Sequence, residues 1–521
     1  MIVRNVVERH VGFDAVPTRF LALVAAVGVS LLVGVAVGRG YALPVLGLAA
    51  FAAALLVGIV NWRWSVYGLL LYLPFSGIPV LAAYPHTAVP VLLKDFLFVI
   101  PAYVGFLVYV TNRGVRVPFA GAPLALFLML AFLVAAQAFN PNLPSRLVGA
   151  IGIKVWLFYI PLYFLAYHFV RDRRDLFRLL GVMSVAAIIP AVIGIVEAVL
   201  IYAGHARSVY QLYGGAAQAA TQNFAQFTFT SGGDLRRVPS TFSFVAQYYT
   251  FAISMVAVSY AWWRGALVGT RLDSFGRLVW LLMLVAAFLS GARGAFVFVP
   301  VLMLLIIVVE WLSPGSRVRS LPLGRILALG GVFLVPAALF SGAPGTIFGY
   351  TFQVGRQEFQ SVFVDGFRQA LALTWNGLGT GIDTNASRYA FSTPVQFQAV
   401  GGTWFESWYV KVVLELGIAG LVVVVLLLGV LVVRGVQAHR WLHDPRMRAI
   451  SAALLAFLIW NLVYNVKGQY MDIDPIDVYF WLFAGLLARV ATLDRDESEG
   501  QDAPVPSQEG AAAPSPEPVR P

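Results

Sequence analysis

Three short stretches of this 521-residue chain put charged and hydroxyl side chains where chemistry can be done. The first is Ser290-Gly291-Ala292-Arg293-Gly294-Ala295, between two apolar runs. The run before it offers about 16 residues, roughly 24 Å of helix against the ~30 Å hydrocarbon core of a bilayer, so Arg293 is expected slightly below a membrane boundary. An arginine there is costly unless it meets a phosphate, a carboxylate or water, and small neighbours leave room for one. Snorkelling to lipid phosphates is the plainer alternative. The second stretch is Arg236-Arg237-Val238-Pro239-Ser240-Thr241-Phe242. Paired arginines ahead of a Pro-Ser-Thr helix start can hold a diphosphate, because the guanidinium fork matches phosphate oxygens. The alternative is a capped helix start with headgroup contacts.

The third stretch, Gly402 to Tyr409, runs into an apolar segment carrying Lys411, Glu415, Gly417 and Gly420. Glu406 lies at its surface end. Beside Trp404 and Trp408 its pKa is expected to rise, which suits a general base that deprotonates a sugar hydroxyl; the alternative is a carboxylate favoured by a helix N-terminus. Glu415 falls about 13 Å further along and can pair with Lys411 at i−4, a structural role. Other candidates read as structure. Asn376-Gly377-Leu378-Gly379-Thr380-Gly381 is glycine-rich but has no preceding strand and no Walker lysine. Asp474 before Pro475 is a helix start. Six scattered histidines and no cysteine suggest no metal site, disulfide or thiol nucleophile.

These groups must be positioned by membrane helices. The chain is 60% hydrophobic, 12% charged and 14% aromatic, far from the composition of a soluble domain. Apolar runs of spanning length lie near 20–38, 41–60, 64–82, 89–111, 121–139, 151–170, 176–203, 243–263, 275–291, 294–312, 326–342, 408–433, 449–466 and 475–492, which predicts an all-α polytopic fold of about 14 transmembrane helices. With the N-terminus inside, 23 of the 36 Lys+Arg fall in inner connections or at the termini, so both termini are expected to be cytoplasmic. The net charge of +11 is thereby explained by topology rather than by nucleic acid. The other thirteen cations, among them Arg146, Arg207, Arg356, Arg368, Arg388 and all four lysines, lie on the outer side or within spans. Together they suggest an anionic ligand there; headgroup contacts and intramembrane pairs such as Lys94 with Asp95 are the alternative.

The polytopic domain is expected over 1–492. Two long outer connections interrupt it, at about 204–242 and 343–407. The second carries an amphipathic helix in which Phe359, Val362, Phe363, Phe367, Ala370 and Leu371 share a face, expected on the outer membrane surface or capping a cavity. Residues 493–521, rich in Pro, Ala, Ser and acidic residues, read as a disordered cytoplasmic tail.

Over about 236–425 the chain resembles the O-antigen ligase and Wzy-type polymerase superfamily. Ser290 to Ala295 is similar to its Ser-Arg-Gly turn between two spans. Asn376 to Gly381 resembles the glycine-rich segment of its periplasmic loop, and Glu415-Leu416-Gly417-Ile418-Ala419-Gly420 its closing Glu-x-Gly-x-x-Gly pattern. Arg237 with Pro239-Ser240-Thr241-Phe242 is similar to its Arg-x-x-Gly-Thr-Phe element. Glu406 and Ser407 stand where the family carries a His-Asn pair, which is the point of departure. The resemblance implies a GT-C-like fold in a bacterial inner membrane, with a metal-independent active site on the outer face and no cofactor. It implies a polyprenyl-diphosphate-linked glycan as donor and inverting transfer to a glycan or lipid acceptor. On that pattern Arg237 and Arg293 bind the diphosphate and Glu406 stands in for the base. Ser290, Arg236, Lys411, Arg388 and Ser407 are substrate-contact candidates. Repeat-unit polymerisation is the leading expectation, with a chain-length regulator as a partner beyond the membrane lipids. Glycan ligation to lipid A core or protein is the first alternative. The second is a transporter or flippase of an anionic lipid-linked substrate, for which Lys94, Asp95, Lys154 and Glu197 would face a midplane cavity.

Overall fold

A computed structural model describes residues 42–86, 88–114, 122–214, 226–228, 234–292, 294–311, 353–384 and 405–501. The described residues are overwhelmingly helical, with one two-stranded antiparallel ribbon. Seven helical stretches are long and apolar enough to cross a membrane: Val45–Phe75, Val89–Arg113, Arg146–Phe169, Arg173–Gln211, Trp408–Arg440, Pro445–Tyr464 and Ile476–Asp494. The protein is a helical membrane protein.

The chain forms two compact units, Met1–Gly68 with Leu93–Val115, and Leu69–Leu92 with Arg116–Pro521. In the first, α1 (Ala42–Tyr72) and α2 (Ile100–Arg113) cross at glycine: a Cβ on Gly105 would lie 1.9 Å from the Gly58 carbonyl oxygen, so the backbones touch. Trp62 packs edge-on against Phe106, with centroids 5.0 Å apart. The expected spans at 41–60 and 64–82 are not separated by a loop. They meet at a kink at Asn61 (φ −156°, ψ 91°), whose side chain caps the Arg63 amide at 3.3 Å.

The second unit holds α3 (Ala122–Gln137), α4 (Arg146–Leu157), α5 (Leu162–Phe169), α6 (Arg173–Ala186), α7 (Ile188–Leu200), α8 (Val245–Trp262), α9 (Asp273–Leu289), α10 (Ala295–Trp311), α11 (Gly366–Leu373), α12 (Trp408–Arg440), α13 (Pro445–Tyr464) and α14 (Ile476–Gln501). At its centre is α8, buried at every position except Gln247. A helix apolar all round belongs inside a bundle. Its hydroxyls are satisfied within the helix, Thr250 donating to the Ala246 carbonyl at 2.7 Å and Ser254 to that of Thr250 at 2.6 Å. Against α8 lie α6, α9 and α13. Along α12, Ile418, Val422, Val425, Leu426 and Val433 stay exposed, a stripe suited to lipid contact. Helices α3, α8, α9 and α10 stand at expected spans but fall outside the seven, α3 and α10 as apolar helices of fewer than 18 residues. The expected spans 20–38 and 326–342 lie outside the described residues.

Two expectations need correction. The amphipathic segment is helical, 353–358 running through a π-helical stretch (Phe359–Asp365) into α11. It is not merely laid on a surface: Ala370 and Phe367 pack with Phe405, Val410 and Leu414 of the bundle. The tail does not begin at 493. Helix α14 continues to Gln501, because the acidic and straight-chain residues there are helix formers and the first proline comes at 504.

Candidate functional site

The Arg236–Phe242 segment follows a ribbon in which β1 (Gln226–Thr228) pairs with β2 (Asp234–Arg236), Gln226 opposite Arg236. From there the chain turns sharply into α8. Ser240 takes φ +51°, unusual for a residue with a side chain, and is held there from several sides. Glu197 of α7 accepts the Ser240 amide at 2.9 Å, the Ser240 hydroxyl donates to the Pro190 carbonyl at 2.7 Å, and the Tyr213 hydroxyl donates to the Ser240 carbonyl at 2.8 Å. Tyr213 also donates to the other Glu197 oxygen. Burial, reinforced by the Glu197 charge, pushes the Tyr213 phenol above its ordinary range, so it remains a donor.

The Ser290 turn meets this segment directly. Helix α9 ends at Leu289, and Gly291 closes it with φ +72°, a left-handed C-terminal cap. A Cβ there would sit 1.9 Å from the Arg236 carbonyl oxygen, so only glycine lets the two backbones pass. The Val238 amide donates to the Ser290 carbonyl at 3.2 Å. Ser290 itself is fully buried and its hydroxyl donates to the Ala287 carbonyl at 2.6 Å, which makes it a turn-former here. Arg293 and Arg388 lie outside the described residues. Arg293's neighbour Gly294 is beside Tyr464, whose hydroxyl is 3.4 Å from where a Gly294 Cβ would stand.

Below the turn is a tyrosine cluster. Tyr249 and Tyr470 hydroxyls are 3.0 Å apart, and the Tyr464 and Tyr470 rings stack at 4.1 Å and 6°. The Tyr249 hydroxyl is within electrostatic reach of both Arg237 and Glu406. Burial drives the Tyr470 phenol well above its ordinary range against the pull of Arg237, so it too keeps its proton. Arg237 is half-buried. Its Nε is shut off from solvent, and among the described residues its guanidinium has no hydrogen-bond or ion-pair partner. Arg236 is half-buried as well, its amide donating to the Tyr202 hydroxyl at 3.3 Å.

Glu406 is carried by a fixed strand of backbone. On one side the Phe405 carbonyl accepts from Gln469 Nε2 at 3.0 Å; on the other the Trp408 amide donates to the Asn465 carbonyl at 3.1 Å. Both anchors belong to the α13–α14 connection that bears Tyr470. Glu406 is exposed. The shielding expected from Trp408 is not there, because that indole turns inward, its ring 5.5 Å from that of Trp156 at a tilt of 37° and its Nε1 donating to Asp472 at 3.1 Å. Ser407 is fully buried with its hydroxyl unpartnered among the described residues.

Lys411 faces away from this surface. Fully buried, it pairs with Asp472, lies 3.9 Å from Glu415 and sits 5.2 Å from the Trp156 ring. Glu415 in turn accepts from Trp156 Nε1 (2.6 Å), the Gly381 amide (2.9 Å), the Asp383 amide (3.0 Å) and the Thr384 hydroxyl (3.0 Å). Helix α12 breaks at Gly417 (φ +73°), which frees the Leu414 and Glu415 carbonyls to accept the Leu378 and Gly379 amides at 2.7 and 3.3 Å. The glycine-rich segment therefore uses its amides to clamp a kinked helix, not to cradle phosphate. Its glycines have φ of +93°, +117° and +94° because the chain lies directly against Glu415 O, Leu143 and Val148 O. Asp383 completes the cluster: one oxygen accepts from Gln469 at 2.9 Å, and the other is buried without a partner among the described residues. Burial, then the Glu415 charge, pushes this carboxyl well above the usual range.

Sequence reasoning missed Asp383, Gln469, Asp472 and the three tyrosines. No local spacing marks them, since separate segments of the chain bring them together. Of the charges invoked for a transport path, Lys94 and Asp95 lie 3.6 Å apart, Lys154 lies 3.3 Å from Tyr159, and Glu197 holds the Ser240 turn. No group of three or more metal-binding side chains occurs among the described residues. Searches of protein-family models and of curated proteins found no match to this chain.

Proposed function

We propose that the protein is a membrane glycosyltransferase that moves a polyprenyl-diphosphate-linked oligosaccharide to an acceptor hydroxyl, most simply as a polymerase of repeat units. The carrying observation is Arg237: a half-buried guanidinium without a partner among the described residues, backed against the Ser290–Gly291 turn. A half-buried cation without a counter-charge is stabilised by an anionic ligand, and a diphosphate fits its fork. The short helices α8, α9 and α10 then bring that site to the outer membrane boundary of a fold of about 14 spans, with both termini cytoplasmic, in a bacterial inner membrane.

In this reading the acceptor oxygen loses its proton to Glu406 and attacks the anomeric carbon, whose bond to the diphosphate breaks with inversion. Arg237 and Arg293 take up the charge that develops on the leaving diphosphate. The Tyr249 and Tyr470 hydroxyls supply hydrogen-bonding groups between the two ends of the reaction. Arg236, Arg388 and Ser407 remain substrate-contact candidates; Lys411 and Ser290 act by holding the scaffold. Ligation to lipid A core or protein uses the same donor geometry. The transport reading gains nothing from Glu197, both of whose oxygens serve the Ser240 turn.

The test is single-turnover transfer in proteoliposomes from a native-host lipid-diphosphate oligosaccharide. Glu406→Gln is expected to lower the rate about 10²–10⁴-fold. Arg237→Ala and Arg293→Ala should each lower it about 10²–10³-fold, while Lys94→Ala leaves it unchanged. Full activity in Glu406→Gln would remove the base; Lys94-dependent lipid movement without transfer would replace the enzyme by a transporter.

A further inference from the structure

At the far end of α12, roughly 35 Å from Lys411 at helical rise, a cavity of about 340 Å³ opens among α5, α12, α13 and α14. Its volume falls in the range of ligand sites. Small residues line it, Gly435 and Ala438 on α12 and Ala484 and Ala488 on α14, with Gly435 packed against Leu487. Larger side chains at those positions would close it. Arg434 and Tyr167 line the same space. Arg434 is exposed at the edge of the cavity and makes no hydrogen bond or ion pair among the described residues; Tyr167 is half-buried, with the Arg489 guanidinium 5.6 Å over its ring. The cavity wall carries no acid. Of the acids near this end, Asp444 and Asp494 are both taken by Arg173, and Asp172 and Asp175 accept backbone amides at the start of α6.

We propose that this cavity holds an acyl chain of an anionic phospholipid, with the lipid phosphate on Arg434 and Tyr167. The mostly apolar wall suits an acyl chain better than a soluble anion, and Arg434, exposed beside the lipid-facing Val433, sets the cation next to the bilayer. The uncompensated guanidinium selects the negative headgroup. This site does not depend on the glycosyltransferase reading.

The experiment is native mass spectrometry of the full chain released from nanodiscs of equal phosphatidylglycerol and phosphatidylcholine. Wild type should retain phosphatidylglycerol in preference. Arg434→Ala should lower that preference about fivefold, the worth of one arginine beside an anionic lipid surface. Ala488→Phe, which fills the cavity and keeps the charge, should lose the retained lipid; Ala438→Leu serves the same purpose if Ala488→Phe proves not to be monodisperse. Arg440→Ala removes a cation from the same helix end outside the cavity and should change nothing. The proposal fails if Arg440→Ala matches Arg434→Ala, which would mean diffuse surface attraction. It also fails if both cavity-filling variants retain lipid, or if added undecaprenyl phosphate is retained and phosphatidylglycerol is not.

Discussion

Replacing Lys411 by Met tests whether the buried cluster at the head of α12 holds together as an ionic unit. The ammonium is fully buried, paired with Asp472 and 3.9 Å from Glu415, and the Asp472 side chain is only 7% exposed. At an effective dielectric of about 20, a pair at that separation is worth about 4 kcal/mol before desolvation. Met keeps much of the volume but leaves two acids without their cation. Breaking a buried pair from one side costs about 3–5 kcal/mol, and that is the expected loss. Adding Asp472→Asn to Lys411→Met removes one stranded charge and should recover about 2–3 kcal/mol. The assay is unfolding by SDS in mixed micelles, followed by tryptophan fluorescence; Trp156 and Trp408 flank the cluster. A single-variant loss below about 1 kcal/mol would refute the ionic argument. So would a double variant no better than the single one.

Asp383 gives the cluster a pH signature. Its folded-state pKa is raised, so above the ordinary aspartate range the folded chain holds a proton that the unfolded chain releases. Stability is full below the unfolded pKa and falls by about 1.4 kcal/mol per pH unit as pH climbs toward the folded value. Asp383→Asn should flatten that slope in the same unfolding assay, and an unchanged slope would assign it to another group. Gly291→Ala would force a Cβ to within 1.9 Å of the Arg236 carbonyl at φ +72°, driving the Ser290 turn off Arg237. A displacement of about 1 Å is expected to cost about 10²-fold in transfer, with helix content by circular dichroism unchanged.

The sequence by itself determined the membrane class and the position of most helices that the structure describes. Those features are local, set by apolar runs of spanning length; the kinks at Asn61 and Gly417 it did not mark. It paired Lys411 with Glu415 from i,i+4 spacing alone, and singled out Arg237 and the Ser290 turn only as separate stretches. What it could not assign were partners set by folding over long separations. Lys411 makes its closest ion pair with Asp472, 61 residues away, rather than with Glu415 one turn along. Asp383 is buried and Glu406 exposed, although their local sequences gave no such order. The glycine-rich segment read as structure, but its task as a clamp was not visible, because it depends on the kink at Gly417, which frees carbonyls that the segment's amides satisfy. Chain periodicity fixes which residues share a helix face; only packing decides which buried charges meet, since low-dielectric burial makes every unpaired ion costly wherever its partner lies in sequence.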